Sequence, residues 1–154
     1  MGFARARFRV VGARGSVGGV ALVDTGSPMT VVDRGVAEAL GLRPTGRTVK
    51  LATLSGVEVL CSEAVAELFE VEGEALAYER VAVCELPGSV REKLSAMGAD
   101  PSLIIGVITL EAAGFAVNPV TGKLEKVGWL ALRAISAPRE PPGCSRGSLG
   151  AVVS

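Results

Sequence analysis

The residues with the clearest capacity for chemistry stand at the end of an apolar run. Val20-Ala21-Leu22-Val23 leads into Asp24, and Thr25, Gly26 and Ser27 follow directly. A carboxylate behind a core-bound run is costly unless it is hydrogen-bonded or put to use. Gly26 permits a sharp turn that brings a backbone N–H toward that carboxylate, and Thr25 offers a hydroxyl able to fix the loop from behind. A carboxylate held this way can take a proton from water, as a general base does. The plainer alternative is an aspartate closing an Asx turn at a strand end, which is common. The tripeptide alone does not separate the two.

Other chemistries are narrowed by what is absent. The 154 residues contain no histidine, which removes Ser-His and Cys-His nucleophile pairs and every His-ligated zinc site. Carboxylates, a lone thiol or lysine remain. Cys61, Cys84 and Cys144 are odd in number and form no C-x-x-C pair, so neither a metal nor a cofactor is expected. Cys61 and Cys84 lie in apolar, strand-like runs, where cysteine usually serves as a small buried hydrophobe. A cross-strand bridge between them is the alternative reading, and thermophile cytosols tolerate such bonds. Sixteen Lys and Arg balance sixteen Asp and Glu, which removes the electrostatic argument for nucleic acid or an anionic membrane as partner.

The chain length suits one domain, and 49% hydrophobic residues can build a sizeable core. No apolar run approaches the ~20 residues that span a bilayer, and the opening residues lack a leader pattern. Met1-Gly2 suggests myristoylation, but Ala6 stands where Ser or Thr is needed. The expected location is cytoplasmic. Glutamine is absent and Asn118 is the sole asparagine, a depletion of thermolabile amides expected of a thermophile.

The elements that must position Asp24 read mostly as β-strands. Arg5 to Val10 alternates polar and apolar, Gly12 to Ser16 is turn material, and Val17 to Val23 returns as the second arm of a hairpin. Asp33 is placed to cap a short helix through Val36 and Leu40, ended by Gly41 and Pro44. Thr45 to Cys61 is β-like, with Ser55-Gly56 as a tight turn. Ser62 to Val71 could be helix by composition, but Val65, Phe69 and Val71 share a face at period two. Glu72-Gly73-Glu74 then turns the chain into a strand over Leu76 to Cys84. A short helix over Val90 to Met97, a buried strand Leu103-Ile104-Ile105 and a helix over Val107 to Ala113 follow. Phe115 to Val117, an Asn118-Pro119 turn and closing strands near Lys123 to Leu132 complete residues 1–134. Residues 135–154 hold three of the eight prolines with several glycines and serines, the composition of a flexible tail.

Val-Asp-Thr-Gly-Ser followed by Met29-Thr30-Val31-Val32, with a helix ending Ala39-Leu40-Gly41-Leu42-Arg43-Pro44, resembles the retropepsin-like, retroviral-type aspartic proteases. Leu103-Ile104-Ile105-Gly106 is similar to that family's hydrophobic-hydrophobic-glycine element, and Leu110 to Leu124 to its helix, strand and closing turn. The likeness spans roughly residues 5 to 130. It implies a single-lobe, archaeal/bacterial-type member: a mostly β, closed-barrel acid-protease fold with one or two short helices, working as a homodimer. Asp24 would be catalytic. Thr25, Gly26 and Ser27 would form its loop, with Ile105 and Gly106 supporting it. Thr53, Leu54, Ser55 and Gly56 would form a flap over a peptide or unfolded-protein substrate. Leu22, Val31 and Ile105 would line core or substrate walls. Neither Asp33, placed as a cap, nor Asp100, placed in a loop, is followed by Thr-Gly or Ser-Gly, so a second copy of Asp24 must complete a carboxylate pair. Pro28 stands where the family carries an N–H, and Val107-Ile108-Thr109 replaces the usual acidic helix start with a run expected to be apolar. These departures keep open an inactive dimer that only binds peptides, beside a small β-domain whose Asp-Thr-Gly merely turns.

Overall fold

The computed structural model describes residues 3–52 and 58–127. Its first hairpin joins β1 (Ala4–Gly12) to β2 (Gly15–Asp24), with Gly12 opposite Gly15 and a two-residue turn between them. In β1 the alternation is strict: Ala4, Ala6, Phe8 and Val10 are buried, while Arg5, Arg7 and Arg9 face water. After the Asp24 loop come β3 (Val31–Asp33) and α1 (Arg34–Leu40). Gly41 ends that helix at φ 69°, a left-handed conformation that favours glycine.

β4 (Arg43–Ala52), β5 (Glu58–Val71) and β6 (Glu74–Cys84) form an antiparallel run, followed by α2 (Gly88–Ala96). β7 (Leu103–Gly106), α3 (Val107–Ala112) and a small hairpin of β8 (Phe115–Val117) and β9 (Leu124–Lys126) complete the described chain. Six strands close on themselves in the order β1-β2-β7-β3-β6-β5, because β5 returns to pair with β1. β4 lies outside that ring against β5. Pro44 is tolerated there because an edge strand need not donate every N–H. Inside the ring, Phe8 stacks near Phe69 at 6.5 Å between ring centroids, and Val10, Val32, Leu103 and Ile105 pack around them. No helix among the described residues is long and apolar enough to cross a membrane.

Four expectations change. The segment from Glu58 to Val71 is one unbroken strand of 14 residues, rather than two pieces meeting near Cys61. Its length lets it serve β6 along one edge and both β4 and β1 along the other. Asp33 occupies the position before α1, yet its side chain makes no capping bond. It accepts instead from the Leu86 N–H and from Arg91, each at 3.1 Å, so tertiary partners displaced the local one. Cys61 and Cys84 are disulfide-bonded rather than merely buried. Ser62 lies opposite Val83, so the next pair outward brings the two cysteines face to face. Finally, three short helices stand among the described residues, where the resemblance implied one or two. The flap residues Thr53, Leu54, Ser55 and Gly56, the closing strand near Trp129 to Leu132, and the tail at 135–154 lie outside the described residues.

Candidate active site

Asp24 is the last residue of β2, and β2 runs parallel to β7 with Asp24 paired to Gly106. Two segments about eighty residues apart in the chain therefore end side by side. The chain turns at once after Asp24: the Gly26 N–H donates to Asp24 Oδ1 at 2.9 Å, and the Ser27 N–H donates to the Asp24 carbonyl at 3.1 Å. The carboxylate is half-buried, with one oxygen fixed by a backbone donor. This is the arrangement expected of Gly26 from sequence.

The loop is clamped from below by α3. The Val107 N–H donates to the Ser27 carbonyl at 2.8 Å, and the Ile108 N–H to the Pro28 carbonyl at 3.1 Å. First-turn N–H groups of a helix have no partner within it, so the helix start and the loop carbonyls satisfy one another. Pro28 has no N–H to give, but its carbonyl is the part the clamp uses. The Ser27 hydroxyl closes the loop further by donating to the Met29 carbonyl at 2.8 Å.

Beneath the loop lies a polar pair that the sequence reading did not single out. Thr30 and Thr109 are fully buried, and the Thr30 hydroxyl donates to Thr109 Oγ1 at 2.8 Å. The Gly106 N–H donates in turn to Thr30 Oγ1 at 3.1 Å. Gly106 itself must be glycine, because a Cβ there would stand 2.3 Å from the Met29 carbonyl carbon. The signal that could have located the pair is a lone hydroxyl inside each of two apolar runs, Met29-Thr30-Val31 and Ile108-Thr109-Leu110.

The remaining expected residues divide between two faces. Ile105 belongs to the barrel interior, whereas Leu22 and Val31 lie on the opposite face of the sheet. Thr25 is exposed, and among the described residues its side chain takes no partner. The other two aspartates are engaged elsewhere. Asp33 holds Leu86 and Arg91, and Asp100 Oδ1 accepts from the backbone and hydroxyl of Ser102. Neither stands free to join Asp24.

Residues 9–111 match the model of a protein family described as aspartyl protease. No curated protein matches the chain.

Proposed function

The chain belongs to the aspartyl protease family, and on that premise we propose that it is a homodimeric endopeptidase with Asp24 as its catalytic residue. The observation that carries this reading is the Asp24 carboxylate, held by the Gly26 N–H at the paired ends of β2 and β7 while both other aspartates are committed to structural bonds. One carboxylate is half of what the chemistry needs. Two facing copies related by a two-fold axis would supply the pair.

Between them the two carboxyls share one proton, because like charges so close resist joint ionisation. The ionised member takes a proton from a water as its oxygen attacks the peptide carbonyl carbon. The protonated member gives its proton to the developing oxyanion, producing a neutral gem-diol. Collapse of the diol breaks the C–N bond, the amine leaves with a proton, and the pair returns to its shared-proton state. Activity then belongs on the acid side of neutrality, where the shared proton is retained. In each subunit the exposed Thr25 hydroxyl would bond across the axis and lock the two loops together.

The test is cleavage of an unfolded protein over acid to neutral pH, for the parent and for Asp24→Asn. Asparagine keeps the shape of the loop but cannot accept the proton, so the rate should fall by about 10²- to 10⁴-fold while the dimer persists. If Asp24→Asn cleaves as fast as the parent, or a stable monomer cleaves, the proposal is wrong.

A further inference from the structure

A second apolar layer lies beside Asp24, on the face of the sheet turned away from the barrel interior, its Leu22 end covered by Leu94 and Ala99. Side chains alternate along a strand, so Leu22 shares the face of Asp24 while Val23 joins the core. Across the ladder Leu22 stands opposite Ile104, Ile104 opposite Val31, and Val31 opposite Ala82. This row continues into the buried cluster of Val31, Ala82, Cys61 and Cys84. The wall that begins beside Asp24 therefore ends at the Cys61–Cys84 disulfide.

The disulfide also stands at the root of an arm. Pairing of β5 with β6 starts at Ser62 opposite Val83; from Cys61 back to Glu58, β5 is paired with β4 alone, over Val49 to Ala52. That two-stranded arm extends past the closed ring. Leu51 and Val59, on its two strands, pack against the same cluster as Val31 and Ile104. Where the hydrogen-bonded ladder to β6 stops, the disulfide is the covalent link that remains.

We propose that the Cys61–Cys84 disulfide is a positioning element for peptide binding: when oxidised it sets the spacing between Leu51 and Val59 on the arm and Val31 and Ile104 on the barrel. Leu51, Val59 and Ile104 are only partly buried there, an apolar surface that suits an aliphatic side chain of an extended peptide lying next to Asp24. A dithiol reverses the lock. Its thiolate attacks one sulfur to give a mixed disulfide, and its second thiol displaces that bond. The products are two cysteine thiols and the oxidised cyclic reagent. Beyond the Ser62–Val83 pair the arm is then held to the barrel by apolar contact alone, and ordering it falls to the ligand, which weakens binding. This inference rests on the Asp24 cleft being a peptide site, as in the preceding section, but not on the cleft being catalytic.

The experiment measures binding of a fluorescent aliphatic peptide whose scissile amide is replaced by a hydroxyethylene group. It uses the full chain carrying Cys144→Ser, compared oxidised, after dithiol treatment confirmed by thiol titration, and as Cys61→Ala/Cys84→Ala. Reduction should raise Kd on the order of tenfold, the double variant should match the reduced protein, and dithiol should leave the variant unchanged. Sedimentation and circular dichroism on the same samples should show an intact dimer and fold throughout. If the double variant fails to fold, the reduced parent decides the matter. An unchanged Kd on reduction overturns the proposal, as does weakening that merely follows loss of dimer or fold, or failure of the oxidised protein to bind the peptide. Redox-dependent binding by a protein that cleaves nothing refutes the hydrolase reading and upholds this one.

Discussion

The Thr30 hydroxyl sits between two partners, giving its proton to Thr109 Oγ1 and accepting one from the Gly106 N–H. Both neighbours belong to the β7–α3 segment, whereas Thr30 follows the Asp24 loop, so this one oxygen ties the two halves of the site together. Thr30→Val would strand the Gly106 N–H in a dry environment, which costs about 1–3 kcal/mol for the orphaned donor. Thr109→Val leaves the Thr30 O–H without its acceptor but keeps the Gly106 bond, so it breaks one interaction rather than two and should cost less. The double variant should fall short of the sum, since the two share a bond. Urea unfolding at one fixed protein concentration measures all three. Two equal and additive losses would mean that the bond contributes nothing of its own.

At the scale of elements, β6 carries a charge in an awkward place. Glu79 is half-buried and lines a cleft of about 340 Å³ together with Arg47, Lys50, Met29 and Ile108. Burial pushes its carboxyl above the ordinary range, with Arg80 pulling the other way. A carboxyl raised in the folded state favours folding fully below its unfolded pKa. That contribution is lost as pH rises through the folded value. Glu79→Gln should therefore raise Tm near neutral pH, and the gain should fade as the pH falls below about 4, where the parent's carboxyl becomes protonated in both states. Thermal scans across that range provide the check; a gain independent of pH would place its cause outside titration. The neighbouring Glu63 is buried among Thr45, Arg47 and Arg80. Neither environment follows from sequence, since both depend on β4, β5 and β6 lying edge to edge.

For the whole molecule, the proposed two-fold assembly rests on the exposed Thr25 and the single available aspartate. Thr25→Ala would remove one cross-axis hydrogen bond per subunit, two per dimer, each contributing about 0.5–1.5 kcal/mol. The dimer Kd should rise about tenfold or more. Activity should disappear on dilution and return at high protein concentration. Sedimentation beside a cleavage assay over a concentration series tests this. If Thr25→Ala left the dimer Kd unchanged while activity fell, Thr25 would act within its own subunit.

Sequence alone determined the features governed by near neighbours: the alternation of β1, the hairpin into β2, the stop of α1 at Gly41, and the turn that places Gly26 on Asp24. Each is a matter of period, propensity or a bond spanning two or three residues, so the local chain contains the whole cause. The family resemblance was legible for the same reason, since each of its two short motifs is a continuous stretch of chain. Tertiary structure alone decided which long-range partners won. Asp33 gave up a helix cap for Arg91, Cys61 met Cys84, and Thr30 met Thr109 across 79 positions. The disulfide depends on strand register, since a shift of one residue would send Cys61 or Cys84 to the opposite face of the sheet, and the other two depend on where loops and helices dock against it.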